Sequence, residues 1–145
     1  MKSRAIIVDV DGTLANKHPD RSPYEFDKVA MDSIHEDIAE LVNMYAIVAD
    51  DSDNLLYTII IVSGREDICR LETENWLDEH GVLWDTLFMR KAGDFRKDVI
   101  VKKEIYDQEI KGNYDVRLVI DDRDQVVEMW RELGLRCIQV APGNF

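Results

Sequence analysis

The chain has 145 residues, 46% of them hydrophobic and 33% charged, which suits a single globular domain, residues 1–145, that needs neither disulfides nor a structural metal to hold its core. Its 18 cations and 30 acids leave a formal net charge of −12. That excludes a protein that coats nucleic acid or anionic membranes through a general basic excess, but not a phosphorylated ligand held by a local cation cluster, because charges are screened over about 8 Å. Cys69 and Cys137 form no Cys-x-x-Cys pair and read as reduced, half-buried thiols of an intracellular, cytoplasmic protein. Asp9 interrupts the first apolar run too early for a signal peptide, and the longest purely aliphatic stretch, Ile59 to Val62, spans no membrane.

In chain order, Ala5–Val8 is a continuous apolar run and predicts a buried strand. Ile34, Ile38, Leu41, Val42 and Tyr45 recur at helical spacing, with Ser33 and Glu36 as a capping box at the start. Asp50 to Asn54 has the acids of a calcium loop, but Val62 stands where a bidentate Glu is needed and the turn Gly is absent; it reads as a polar turn. Ile59–Val62 predicts a second strand, about Asp67–His80 a helix stopped by Gly81, and Thr86–Met89 a weaker strand. A helix over roughly Lys97–Glu109, a strand at Leu118–Ile120, and a helix carrying Val126, Val127, Trp130 and Leu133 up to Gly134 follow. Cys137–Val140 is the last strand. Continuous rather than alternating apolar runs suit strands covered on both faces, and the β/α alternation predicts a doubly wound, Rossmann-like α/β fold on a parallel sheet.

Each strong strand ends in polar residues: Asp9-Val10-Asp11-Gly12-Thr13, Ser63-Gly64-Arg65, and Asp121-Asp122-Arg123. Ligands of open α/β sheets bind beyond the carboxyl ends of the strands, so the fold gathers these residues at one place. Four carboxylates converging there, from Asp9, Asp11, Asp121 and Asp122, call for a hard divalent cation, Mg²⁺ first. Taken alone, Asp121-Asp122 reads equally well as a solvated turn.

These runs resemble the haloacid dehalogenase superfamily of phosphotransferases: Asp9 to Thr13 matches its first motif, Ser63 the second, Lys102 the third and Asp121-Asp122 the fourth. Within it, Arg21-Ser22-Pro23-Tyr24, Val62-Ser63-Gly64-Arg65, Gly93 to Asp98, Lys102 to Ile105, Asp121-Asp122-Arg123, Gln125 to Trp130 and Gln139 to Phe145 look like the 3′-phosphatase domain of bacteriophage polynucleotide kinase/phosphatase. The resemblance implies a Mg²⁺-dependent phosphatase, phage-encoded sources included, that removes 3′-terminal phosphates from DNA or RNA. It makes Asp9 the nucleophile that becomes an aspartyl-phosphate and Asp11 the acid and then base. Asp9, the Asp11 backbone carbonyl and Asp121 or Asp122 would hold Mg²⁺, while Ser63, Lys102 and Thr13 would hold phosphate oxygens. No Gly is followed by Lys, so the phosphate loop of a kinase is not expected. Ala49–Leu56 is longer, and the stretch after Arg65 shorter, than in that relative.

Asp98 lies four residues before Lys102 and is expected to hold its ammonium from the same helix face. Arg21 and Arg65 are the expected substrate contacts, within a cation cluster completed by Arg96, Lys97 and Lys102. About 20 residues between Thr13 and the first helix leave no room for a capping domain, so the site is expected to be open, as suits a polymer end. A homodimer, or association with a separate kinase or ligase, are the expected protein partners. Two other readings stay open: a phosphatase for small phosphomonoesters or a phosphoprotein, and a catalytically silent docking module.

Overall fold

The computed structural model describes residues 1–145, the side chain of Phe26 excepted. Its strands are β1 (Ser3–Val8), β2 (Ala15–Asn16), β3 (Ser33–Ile34), β4 (Tyr57–Glu66), β5 (Thr86–Arg90), β6 (Tyr114–Asp121) and β7 (Cys137–Gln139). Five of them form a parallel sheet in the order β5-β4-β1-β6-β7, and β2 pairs with β3 in a separate antiparallel ladder. The α-helices are α1 (Glu36–Ala46), α2 (Arg70–Glu79), α3 (Asp98–Ile105) and α4 (Asp124–Glu132).

The continuous apolar runs have a plain cause. Ile6 and Val8 of β1, with Ile59 and Ile61 of β4, face a core built with Ala39 and Val42 of α1 and Trp76 and Leu77 of α2. Ala5, Ile7, Ile60 and Val62 face the opposite core, with Val126, Val127 and Trp130 of α4 and Tyr106. Successive side chains of one strand enter different cores, so neither face can be polar. Each such Ile or Val contributes about 1.5–3 kcal/mol on burial, which pins β1 at the sheet centre and its carboxyl end at the middle of one edge.

Two local expectations are corrected. Helix α1 starts at Glu36 with His35 in the capping position and no side-chain cap. Ser33 and Ile34 belong to β3, where Ser33 pairs with Asn16, so Ser33 does not cap the helix. Both free cysteines are buried rather than half-buried, Cys69 in one core and Cys137 in the other. Residues 50–54 form the expected polar turn, closed by Asp50 Oδ1, which accepts from the backbone N–H of Ser52 at 2.8 Å and of Asn54 at 3.0 Å.

Between β1 and α1 the described residues hold only the β2/β3 ladder and a 3₁₀ turn, Phe26–Met31, with no inserted domain. Trp76 of α2 donates its indole N–H to the backbone carbonyl of Asp32 at 2.9 Å, which ties this segment down beside the sheet edge. No helix is long and apolar enough to cross a membrane.

Candidate active site

Asp9 follows the last residue of β1, and its carboxylate is buried. Lys102 of α3 donates to Asp9 Oδ1 at 2.7 Å and to Asp121 Oδ2 at 3.1 Å. The Thr13 hydroxyl donates to Asp9 Oδ2 at 3.0 Å. Asp9 is thus held in one orientation at both oxygens. Two of the three N–H groups of Lys102 are engaged, which leaves one for a ligand. The Thr13 hydroxyl is spent on orienting this carboxylate in the ligand-free site.

Asp9, Asp121 and Asp122 offer oxygens that lie within 4.8 Å of one another. Asp121 is committed at both oxygens: Oδ1 accepts from the Asp122 N–H at 2.8 Å, and Oδ2 from Lys102 and, at 3.1 Å, from the Trp130 indole. Among the described residues Lys102 makes no ion pair with Asp122, whose carboxylate lies beside those of Asp9 and Asp121. Three acids therefore face one ammonium. Burial, reinforced by the Asp121 charge, pushes the Asp9 carboxyl well above the ordinary range despite Lys102. Burial also raises Asp122. For Asp121 the burial effect is outweighed by Lys102 and the two N–H donors, and its carboxyl sits below the ordinary value. Burial opposes the Lys102 charge, but Asp121 and Asp9 overcome it and hold the ammonium protonated. A cluster of oxygen donors that resists full ionisation on its own fits a hard divalent cation such as Mg²⁺.

The expected fourth carboxylate does not join this cluster. Asp11 is clamped sideways by Arg65, whose Nε and Nη2 donate to its two oxygens at 2.9 and 2.8 Å. Arg65 Nη2 reaches Asp32 Oδ2 at 3.3 Å, and Nη1 donates to Thr73 at 3.1 Å. Arg21 grips Asp32 through Nε at 2.9 Å and Nη2 at 2.7 Å, and stands 3.5 Å from Asp11. The two arginines expected to meet substrate are buried and engaged with carboxylates, because a desolvated guanidinium must find its counter-charge inside the protein. Burial pushes the Asp11 carboxyl up, but Arg65 and Arg21 outweigh it and hold it below its ordinary value. The Asp11 side chain nevertheless keeps 45% of its surface exposed. Asp32 went unrecognised in the sequence; its side chain is 0% exposed, and it is the counter-charge both arginines share.

Ser63 is buried at the carboxyl end of β4, its Oγ accepting from the Arg65 backbone N–H at 3.1 Å. Asp98 does not bond Lys102, contrary to the helical spacing. Its Oδ1 is taken by Arg90 and its Oδ2 by Arg123 at 3.1 Å. Lys102 lies deeper and pairs with Asp9 and Asp121; Asp98 acts on it only as a nearby charge. Arg96 of the expected cation cluster is engaged by Asp94 and Glu104.

Gly12 shows how tightly the acids are packed. Its φ is +84°, and a Cβ there would lie 2.0 Å from Asp122 Oδ2. Gly12→Ala is expected to lose Mg²⁺-dependent turnover by displacing Asp122, while the backbone strain alone costs only about 1–2 kcal/mol. Turnover followed through a Mg²⁺ titration, beside a melting curve, separates the two effects; an unchanged Mg²⁺ requirement would show that Asp122 does not matter.

A doubly wound parallel sheet with this acid, hydroxyl, lysine and acid-pair set at its carboxyl edge defines a haloacid dehalogenase-type domain. The family model of the polynucleotide kinase PNKP phosphatase domain matches residues 3–145, and the chain belongs to that family. It is 37% identical over 134 residues to a protein of Autographa californica nuclear polyhedrosis virus named as a bifunctional polynucleotide kinase/RNA ligase, covering 91% of this chain and 18% of that protein. Among solved structures it is similar to a chain of a Pnkp1/Rnl/Hen1 complex, with a TM-score of 0.89 and 39% identity over 99% of this chain and 48% of the other. A structure of the Pnkp1/Rnl/Hen1 RNA repair complex gives the same score and identity, with 44% of its chain covered. The chain thus spans less than half the length of these relatives.

Proposed function

We propose that this chain removes 3′-terminal phosphates from nucleic-acid ends by transferring the phosphoryl group to Asp9 and then to water. The observation that carries the reading is the Asp9 carboxylate, held by Lys102 and Thr13 beside Asp121 and Asp122, in a chain that belongs to the family of the polynucleotide kinase PNKP phosphatase domain. Asp9, Asp122 and the backbone carbonyl of Asp11 would hold Mg²⁺, which supplies neutralising charge to the oxygens of the transferring group. Asp122 is preferred to Asp121 for direct contact because the oxygens of Asp121 already accept from three donors.

An oxygen of Asp9 attacks phosphorus and the bond from phosphorus to the sugar 3′-oxygen breaks. Asp11 gives that oxygen a proton, then takes one from the water that attacks the phosphoaspartate, releasing inorganic phosphate and restoring Asp9. Asp11 begins ionised under Arg65 and Arg21. An arriving phosphate dianion competes for that positive charge, which lets Asp11 take up the proton it must later donate. The remaining N–H of Lys102 and the Ser63 hydroxyl would hold the phosphate oxygens, and the Asp98 carboxylate, bridging Arg90 and Arg123, would support the Ser63 side. By similarity to the viral kinase/ligase and the RNA repair complex, a kinase or ligase, in the same polypeptide or a separate one, is the proposed partner.

Oligonucleotides carrying a 3′-phosphate, a 5′-phosphate or a 2′,3′-cyclic phosphate, assayed side by side with and without Mg²⁺, test this. Turnover is expected of the 3′-phosphate with Mg²⁺. Equal turnover of the 5′-phosphate would sink the assignment.

A further inference from the structure

We infer that the loop of residues 91–97, between β5 and α3, is a seat for the strand behind the phosphorylated end: Phe95 stacks on a nucleobase, and Lys91 and Lys97 flank its backbone phosphates. The inference rests on the polynucleotide reading above and adds where the polymer is held.

Phe95 is 86% exposed, yet its loop is firmly built. Arg90, itself buried, donates from Nε to the Gly64 carbonyl at 2.8 Å, and from Nη1 to the carbonyls of Asp94, at 3.0 Å, and Arg96, the two residues flanking the ring. The backbone N–H of Ala92 bonds Asp67 at 3.0 Å and that of Gly93 bonds Glu66 at 2.9 Å. These carbonyls and N–H groups of the loop's backbone are engaged, while its one large apolar side chain faces outward. A ring fixed this way loses little freedom when a ligand covers it.

The loop also adjoins the site. Gly64, whose carbonyl Arg90 holds, follows Ser63, and a Cβ on Gly64 would lie 2.4 Å from Asp98 Oδ1, at the start of the helix that carries Lys102. In a chain of net charge −12, residues 91–97 hold three cations, Lys91, Arg96 and Lys97, and one acid, Asp94. Lys91 and Lys97 are exposed, and neither makes an ion pair among the described residues. Tyr24 is similarly bare, at 84%, but residues 17–25 balance Lys17 and Arg21 against Asp20 and Glu25. An aromatic face between unpaired cations, beside a site for a phosphorylated end, suits a single strand: bases of any sequence stack, and phosphates meet the ammonium groups.

The test compares kcat/KM on a 3′-phosphorylated trinucleotide, on the same backbone with abasic sugars, and on p-nitrophenyl phosphate. Phe95→Ala is expected to lower efficiency on the trinucleotide by about 5- to 150-fold, the range of a base–aromatic stack. It should leave p-nitrophenyl phosphate unchanged, and the abasic substrate should be equally poor for both proteins. Phe95→Trp should restore the trinucleotide. Leu55→Ala, an exposed apolar truncation just before β4 and so at the opposite sheet edge, should change none of the three. If the native chain prefers the trinucleotide to p-nitrophenyl phosphate and Phe95→Ala keeps that preference, the seat is wrong and the polynucleotide reading stands. If the native chain shows no such preference, the polynucleotide reading falls and the seat falls with it.

Discussion

Asp9→Asn is expected to lower turnover by about 10⁴-fold or more, the scale on which loss of an enzymatic nucleophile acts, while the metal-free protein becomes no less stable. The amide keeps the shape of the carboxylate: its oxygen can still accept from Lys102, and its NH₂ can donate to the Thr13 hydroxyl, which turns to accept. What it removes is one negative charge from a place where three acids face one ammonium. Lys102 keeps Asp121 as its ion-pair partner, so no buried cation is stranded. Removing an acid that burial and Asp121 already disfavour in its charged form relieves strain, so the melting temperature without metal should hold or rise. Mg²⁺ should raise the melting temperature of the native chain and act much less on the variant, because ligand binding stabilises only a state that offers the site. Turnover on a 3′-phosphorylated oligonucleotide and melting curves with and without Mg²⁺ check both halves. Native activity in the variant would remove Asp9 from the chemistry.

Asp32→Ala is expected to be the most destabilising single change at the site. Its carboxylate accepts three bonds from Arg21 and Arg65 and a fourth, at 2.9 Å, from the backbone N–H of His18. Removing it leaves two buried guanidinium groups with only Asp11, which is partly in solvent, as counter-charge. Breaking a buried pair by deleting one partner costs about 3–5 kcal/mol. In a chain of this size that is a fall in melting temperature on the order of 10 °C. Activity should fall as well, since the arginines that aim Asp11 lose their anchor. Asp32→Asn keeps the shape of the side chain, and should recover part of the stability but little of the charge balance. A melting temperature for Asp32→Ala equal to the native value would show that the arginines do not depend on it.

The contrast between these two acids shows what a sequence reveals. Asp9 was legible because an acid directly after an apolar run is explained by chemistry and not by packing, and because Asp11, Gly12 and Thr13 follow in a fixed local pattern. Asp32 carries no such pattern. It sits between a 3₁₀ turn and a two-residue strand, and its partners are 11 and 33 residues away. Arg90 was missed for the same reason: its work is to hold carbonyls and Asp98 in a loop that only the folded chain brings round it. Neighbouring arginines at a site rim, with acids within reach, are the signal that would prompt a search for a buried counter-charge.

The sequence by itself determined the alternation of strands and helices and the edge of the sheet at which the chemistry gathers. Those follow from apolar runs and from polar residues at their ends, which are local facts about the chain. Only the tertiary structure decided who pairs with whom. Helical spacing put Asp98 beside Lys102, but the buried ammonium reached Asp9, 93 residues away, and Asp121, 19 away. Away from solvent a charge must be matched by contact, and which carboxylates can make contact is set by strand order and helix packing rather than by distance along the chain.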